Sequence, residues 1–402
     1  MTKFRELLPL YAVVFLGFLG YALTITLFIP MLMNKHFLFL PTNISTSIRA
    51  SLSGLLLAMY PLGQFIGSPI IGNFSDHFGR KKVLLISLCA CAIGFAGMAV
   101  SIELHSVSLL FFSAFFTGLC ESNMAISQSV IADRVKNPTD KTILIGYVYS
   151  ACSLGYVIGP LLGGGIGHFL GFDIPFYVTA FFVLVVILWI HFVFQDNYIP
   201  TKSEAIKILK SIVAIKSIFH QKKLYQFYFI NFVIFFSVQG LYRVVPLFVV
   251  DTWKPTVFIY SLLISFVSLL CLFANLFFLK KLAERFSTTR LLGALLIIGG
   301  ILVVSIVLPN HFKWIWILYG LAVIPTVMAL PTCTTWLSDQ VPAENQGQVL
   351  GNNQALLVLG EASSAAIGGL IAAIFIPLPV VMMGIILLIT GIYIAWNSRR
   401  GN

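Results

Sequence analysis

Charge is what this chain has least of. Lys, Arg, Asp and Glu make up 10% of its 402 residues, and only 14 residues are acidic. A water-soluble chain carries roughly 25% charged residues, so too little polar surface is present to cover a globule. This scarcity excludes a cytosolic enzyme and a disordered protein. The apolar content of 59% and the mean hydropathy of +0.97 indicate that lipid is the solvent for much of the chain.

Cysteine is also scarce, and its spacing excludes further classes. The six cysteines lie inside apolar runs, with neither metal-ligand spacing nor the framework of a secreted disulfide-rich domain. The sequence also lacks the phosphate-binding Gly-x-x-x-x-Gly-Lys motif and any motif that pairs a nucleophile with a base. We therefore expect no bound metal, no cofactor, no enzyme activity and no primary pump.

Long apolar runs are abundant. A bilayer core takes about 20 apolar residues per helix, whereas a transmembrane β-barrel would show short alternating strands. Runs of helical length occur at Leu7–Met33, Ser51–Ile71, Val83–Ile102, Val107–Ile131, Ile143–Ile166, Ile174–Phe194, Tyr225–Val250, Val257–Leu279, Leu291–Leu308, Trp314–Leu337, Val349–Ile374 and Val380–Trp396. The sequence therefore predicts an all-α integral membrane protein with twelve transmembrane helices.

The runs form two groups of six. We expect an N-terminal bundle over residues 1–195, a cytoplasmic linker over 196–223 and a C-terminal bundle over 224–402. The linker has apolar residues on one helical face and lysines on the other, which predicts an amphipathic helix on the cytoplasmic leaflet. Twenty of the 25 Lys and Arg residues fall in alternate loops and the two ends. This distribution places both termini in the cytoplasm, so the net charge of +11 reports orientation in lipid rather than a nucleic-acid partner.

The two halves resemble each other in sequence. Five glycines and one proline of span five have small residues at the equivalent positions of span eleven, 205 residues later. The span-five residues Gly146, Gly155, Gly159, Pro160, Gly163 and Gly164 correspond to Gly351, Gly360, Ser364, Ala365, Gly368 and Gly369. The loop after span two, Gly72-x-x-x-Asp76-x-x-Gly79-Arg80-Lys81-Lys82, has a weaker counterpart after span eight. Two homologous six-helix halves are typical of secondary transporters built from repeats.

These motifs carry a family resemblance. The loop from Gly72 to Lys82 closely resembles the signature loop of the major facilitator superfamily, and the Gly155–Gly164 motif resembles the fifth-helix motif of its drug–proton antiporter branch, which includes tetracycline exporters. The resemblance implies two pseudo-symmetric six-helix bundles. It also implies a monomeric secondary transporter of the bacterial inner membrane, with a small molecule and protons as its partners.

The resemblance also assigns roles to the two motifs. In the loop, Gly79 would form a tight turn, and Arg80 and Lys81 would keep the loop in the cytoplasm. Asp76 would reach the cytoplasmic start of span eleven, where a helix N-terminus favours a negative charge. The motif from Gly72 to Lys81 would thereby latch one conformation. In span five, Gly155, Gly159, Gly163 and Gly164 form a small-residue stripe, and Pro160 bends the helix. The stripe predicts packing, with a hinge or sliding surface between the halves.

Three ionisable residues lie deep inside spans: Glu121 in span four, Arg243 in span seven and Glu361 in span eleven. Each costs roughly 3 kcal/mol in hydrocarbon, so each should face a polar cavity or one another. In the family architecture spans four and seven line the central cavity and span eleven lies between the halves. We expect Glu121 or Glu361 to carry a proton, with Arg243 holding an anionic substrate or neutralising Glu121.

Polar residues on the expected cavity helices complete the candidate substrate site. Each is, on its own, more typical of a helix–helix hydrogen bond than of a ligand contact. They are Tyr21 and Thr24 in span one, Asn123 in span four, and Asn231, Gln239 and Tyr242 in span seven.

Two functions remain open at this point. The Gly-Pro motif favours proton-coupled export of drug-like or amphipathic compounds. Arg243 favours a carrier of an anionic metabolite, such as a polycarboxylate or a carboxylate siderophore, in either direction. Two departures from the exporter pattern count against the first: span one has no acidic residue, and Ala114 stands where exporters of this branch usually have an arginine.

Overall fold

The computed structural model describes residues 2–35, 37, 39–135, 137–194, 222–341 and 346–400. Within these ranges twelve helical segments are long and apolar enough to cross a membrane, which confirms the predicted fold class. We number them spans one to twelve. The predicted linker over 196–223, with its amphipathic helix, lies outside the described residues except for Lys222 and Lys223.

The helices follow the apolar runs closely. The N-terminal half consists of Thr2–Met33, Thr46–Phe78, Arg80–Glu103, the pair Val107–Cys120 and Asn123–Arg134 that forms span four, Pro138–Phe169 and Ile174–Val193. The C-terminal half consists of Lys222–Trp253, the series Val257–Phe273, Ala274–Leu279 and Lys280–Arg285 that forms span eight, Thr288–Ser305, Phe312–Ser338, Gln346–Ala372 and Leu378–Arg400. Two spans therefore depart from a continuous α-helix, and the sequence analysis predicted neither departure.

We call the side of the bundle that carries Arg80, Lys81 and Lys82 the basic side, and the opposite side the far side. On the far side three spans begin with a side-chain cap. Ser45, Ser106 and Thr256 each accept a hydrogen bond from the backbone N–H three residues further along. Such caps satisfy N–H groups that a helix start leaves without partners.

The two halves meet through matching pairs of spans. Span two packs along span eleven, and span five packs along span eight. Spans one and seven lie at the centre and are the most buried of the twelve described spans. The polar residues on these two helices are therefore enclosed by protein rather than by lipid.

Arg49 fixes the loop between spans one and two on the far side. Its side chain is fully buried, and its guanidinium donates hydrogen bonds to four backbone carbonyl groups. The shortest bonds run to the oxygens of Leu32 at 2.7 Å and Pro41 at 2.8 Å. Arg49 is part of the span-two helix, and main-chain oxygens meet its charge.

Candidate functional site

Span four breaks in the middle of the membrane. Its first helix ends at Cys120, the backbone of Glu121 is extended with φ −85° and ψ 113°, and the second helix begins at Asn123. Irregular backbone at membrane depth is tolerated only where protein or water covers it, and broken spans carry the binding sites of many transporters. The signal in the sequence is the polar triplet Glu121-Ser122-Asn123 inside an otherwise apolar run.

Glu121 is 4% exposed and lies inside the N-terminal half. Its carboxylate accepts a short hydrogen bond from the Tyr60 hydroxyl on span two. A Cβ built on Gly17 of span one would lie 2.4 Å from Glu121 Oε1 and 2.9 Å from Asn123 Nδ2, so a larger residue there would displace these two side chains. Glu121 faces a small cavity lined by the N-terminal half, rather than lining the central cavity as we expected from its place on span four.

Arg243 and Glu361 form an ion pair within the C-terminal half. Both side chains are more than nine-tenths buried, and Arg243 Nη2 bonds Glu361 Oε1 directly. Tyr21, on span one of the other half, joins the pair. Its hydroxyl donates to Glu361 Oε1 at 2.5 Å and accepts from Arg243 Nη2 at 2.5 Å. Arg243 therefore neutralises Glu361, and not Glu121 as the sequence allowed.

Aromatic rings connect the two acidic groups. The rings of Tyr21 and Tyr60 lie 4.7 Å apart, so the network runs from Glu121 through both tyrosines to Glu361 and Arg243. Tyr156 of span five lies 6.2 Å from the ring of Tyr21. The centre of the molecule thus holds two carboxyl groups, one guanidinium and a cluster of aromatic rings.

The other polar candidates make contacts between or within helices. Asn231 donates to Asn353 Oδ1 at 2.8 Å and to the Cys333 carbonyl at 3.1 Å, which ties span seven to spans ten and eleven. Tyr242 contacts Cys271 of span eight at 3.3 Å, and Thr24 bonds its own helix at the Tyr21 carbonyl. Gln239 is half-buried. These contacts match the helix–helix hydrogen bonds that such residues most often make.

The signature loop forms a compact charged turn. Gly79 has φ 96°, a backbone conformation that favours glycine, and thus makes the predicted tight turn between spans two and three. Arg80 pairs with Asp76 at 2.5 Å and with Asp133 of span four at 3.1 Å. Lys81 bonds the His191 carbonyl of span six at 2.9 Å. The loop is therefore tied to the N-terminal half through spans four and six.

The small-residue stripe of span five packs mainly on its own half, which corrects the expected surface between the halves. A Cβ on Gly155 or Gly159 would lie 2.8 Å from backbone atoms of span one, and one on Gly163 would lie 2.4 Å from Leu23. Pro160, between them, is buried. Only Gly164 of this stripe faces the other half, where a Cβ would meet Ser261 Oγ of span eight at 1.8 Å.

The halves touch on the far side and part on the basic side. On the far side a Cβ on Gly54 of span two would lie 2.4 Å from the Cα of Gly369 of span eleven, matching the contact of Gly164 with Ser261. Eighteen residues are five helical turns, or about 27 Å, so Gly72, Gly351 and Gly146 lie on the same faces as Gly54, Gly369 and Gly164. No described atom lies within 4 Å of a Cβ on any of the three. The interface therefore opens toward the basic side.

Comparison with known proteins agrees with this architecture. The family model described as Major Facilitator Superfamily matches residues 10–274 and 227–401 of the chain. The chain belongs to the major facilitator superfamily. It is therefore a membrane transporter of small molecules and not an enzyme.

Several relatives of this chain carry drug-resistance names, some similar over the full length and others over part of it. Multidrug resistance protein 2 of Bacillus subtilis (strain 168) is 23% identical over 395 residues, which cover 97% of this chain and 94% of that protein. The class B tetracycline resistance protein of Escherichia coli is 32% identical over 180 residues, 44% of each chain. The crystal structure of a D-xylose–proton symporter has the same fold, with TM-score 0.73, 17% identity and 97% coverage of both chains.

The three charged residues that lie deep inside the membrane spans, Glu121, Arg243 and Glu361, belong to one network at the centre of this transporter. Spans one, two, four, seven and eleven each contribute one side chain to it. Tyr21 is the member that reaches across from the N-terminal half to the ion pair.

Proposed function

We propose that this transporter exports amphipathic organic compounds in exchange for protons, with its basic side in the cytoplasm of a bacterium. One observation carries the proposal. Glu121 is buried at the centre of the membrane with a tyrosine hydroxyl as its bonded partner, while Arg243, the buried cation at the centre of the described spans, is already bound to Glu361.

The charge count explains why a proton belongs here. Two carboxyl groups and one guanidinium leave one negative charge without a cation at this depth, and an uncompensated charge costs roughly 3 kcal/mol in a membrane span. A proton on Glu121 removes that charge while keeping the hydrogen bond with Tyr60. When water from the basic side reaches Glu121, the proton can leave into the cytoplasm. Such loading and release on opposite sides is what a proton-coupled carrier requires.

The surroundings of the network support an amphipathic substrate. Tyr21, Tyr60 and Tyr156 are rings that stack on flat organic molecules and attract cations through their faces. Because Arg243 is paired with Glu361, Glu121 in its deprotonated form gives the site a negative rather than a positive bias. The multidrug and tetracycline resistance names of the relatives agree with this substrate class.

A carrier of anionic metabolites remains the second candidate. Arg243 Nε is buried and has no hydrogen-bond partner among the described residues, so a substrate carboxylate could bind there. To do so, it would have to share the guanidinium with Glu361. This competition makes the anion carrier the weaker of the two proposals.

Flux into proteoliposomes under an imposed pH gradient tests the proposal. Ethidium and tetracycline serve as amphipathic probes and citrate as the polycarboxylate, each with a protonophore control. We expect the amphipathic probes to move against the proton flow and to stop when the protonophore is added. Citrate movement without movement of the amphipathic probes would establish the second candidate instead. Flux of any probe that ignores the gradient would remove the proton coupling.

Two glycines at matching positions of span two test alternating access. Leucine at Gly54 would collide with backbone atoms of span eleven in the conformation described here, whereas leucine at Gly72 meets open space. Because Gly72 lies on the same face five turns away, its leucine should block the closure of the basic side, where the proposed Asp76 latch would form. We expect both substitutions to abolish transport by trapping opposite conformations.

Spin labels at the two ends of spans two and eleven, in a variant without native cysteines, distinguish the two traps. The Gly72→Leu variant should keep a long distance between labels on the basic side under all conditions. The Gly54→Leu variant should show a short distance there and a long one on the far side. Normal closure of the basic side in Gly72→Leu would refute the proposed movement.

A further inference from the structure

Three buried oxygen atoms inside the N-terminal half have no hydrogen-bond partner among the described residues. They are Ser87 Oγ of span three and Asn123 Oδ1 and Ser127 Oγ of span four. The three residues are 5%, 3% and 0% exposed. A buried polar group without a partner costs about 1–3 kcal/mol, and ordered water normally removes that cost.

The two serines lie at the same depth below the basic face. Spans three and four run in opposite directions, and their basic ends are joined by the bond from Arg80 to Asp133. Ser87 follows Arg80 by seven residues and Ser127 precedes Asp133 by six, which places them about 10 Å and about 9 Å below that bond. The serines therefore form one polar level between the charged basic face and the centre of the membrane.

The next level is the cavity beside Glu121. Glu121, Asn123 and Cys91 line it together, and the remaining lining residues also belong to the N-terminal half: Val13, Leu16, Gly17, Tyr60, Leu88, Phe95, Val183 and Val186. Cys91 follows Arg80 by eleven residues, about 16 Å along the helix. Polar groups thus recur at each level from Glu121 to Asp133, inside one half of the protein.

We propose that a column of ordered water inside the N-terminal half connects Glu121 to the basic face past Asn123, Ser127 and Ser87, and carries the transported proton. Glu121 passes its proton to the nearest water, each water hands a proton to the next, and the last releases one to solvent beside Asp133. The next proton reaches Glu121 from the far side, when the halves part there. This inference rests on the proposed proton coupling, and it adds the route.

The column separates the proton from the substrate. The substrate would enter between the halves, toward Tyr21 and Arg243, whereas the column passes between spans three and four of one half. At its mouth the carboxylates of Asp76 and Asp133 both pair with Arg80 on the basic face. The two routes meet only through the bond between Glu121 and Tyr60.

The test fills the column with apolar side chains. The double variant Ser87→Val/Ser127→Val and the milder Ser87→Ala/Ser127→Ala are compared with Ser101→Ala, a buried serine of span three that bonds Met98 O near the far side. In proteoliposomes we expect gradient-driven flux of ethidium in the valine variant to fall about tenfold, or about 1.4 kcal/mol on the barrier. Exchange of labelled for unlabelled ethidium without a gradient should persist, because it needs no proton to leave. The alanine variant should show a smaller fall, and Ser101→Ala none.

A second measurement detects the water itself. X-ray pulses split bound water into hydroxyl radicals, so Cys91, which is 2% exposed, should be oxidised in the native protein and protected in the valine variant. Unchanged gradient-driven flux in the valine variant would overturn the proposed water column. So would a loss of exchange as large as the loss of gradient-driven flux in the valine and alanine double variants. If Glu121→Gln leaves coupling intact, the proposed function itself fails. If Glu121→Gln uncouples transport and the serine variants do not, only the column fails.

Discussion

Replacing Glu121 by glutamine is expected to abolish transport driven by a pH gradient while leaving substrate exchange in place. Glutamine has the shape of the protonated side chain and can still bond Tyr60, so it holds the site permanently in the proton-loaded form. It cannot release a proton. Since a positioned acid or base contributes about 100-fold or more to a proton-transfer step, we expect gradient-driven flux to fall by about that factor in proteoliposomes.

The matched control for this variant is Glu103→Gln at the far-side end of span three, where the side chain is exposed. It makes the same chemical change outside the central network and should transport normally. Substrate affinity, measured by the concentration dependence of exchange, should be unchanged in both. Gradient-driven flux at the native rate in Glu121→Gln would contradict the proposed function.

Breaking the central ion pair on one side is expected to cause the largest loss of stability. Arg243→Met leaves the carboxylate of Glu361 buried without a cation, which costs about 3–5 kcal/mol. Both side chains are more than nine-tenths buried, so solvent does not screen the loss. Removing both charges together, in Arg243→Met/Glu361→Gln, should recover most of the stability, because no unpaired charge remains.

Unfolding in detergent, followed by circular dichroism for the native chain, the two single variants and the double variant, measures this coupling. The double variant should be more stable than Arg243→Met alone, although it carries one more substitution. Effects that simply add would mean that the two groups do not depend on each other. Tyr21→Phe is the companion variant, since it removes the hydroxyl from the N-terminal half while leaving the ion pair itself intact.

The architecture could be read from the sequence because each bilayer crossing needs its own long apolar run. The run Val107–Ile131 predicted span four correctly as a crossing, yet it hid the break at Glu121. Hydropathy averages over a window and therefore cannot register a two-residue interruption. The same limitation applies to Ala274–Leu279, a π-helical segment that lies within the apolar run Val257–Leu279 of span eight.

The partners of the buried charges could not be predicted in the same way. Glu121, Arg243 and Glu361 were identified because each is costly in lipid, but cost does not specify a partner. Arg243 and Glu361 are 118 residues apart and Tyr60 and Glu121 are 61 apart. Contacts over such separations depend on how helices rotate and tilt against one another, which hydrophobic periodicity alone does not fix.

The sequence by itself determined the solvent, the number of crossings, the two-fold repeat and the family, because all four depend on composition and on local motifs. Gly164 and Gly369 are equivalent positions of that repeat, and the structure shows that both touch the opposite half. Only the tertiary structure decided that Arg243 pairs with Glu361, that Glu121 faces the interior of the N-terminal half, and that the halves part on the basic side. Those outcomes arise from the mutual orientation of whole helices, and each helix is free to present any of its faces until the others have packed around it.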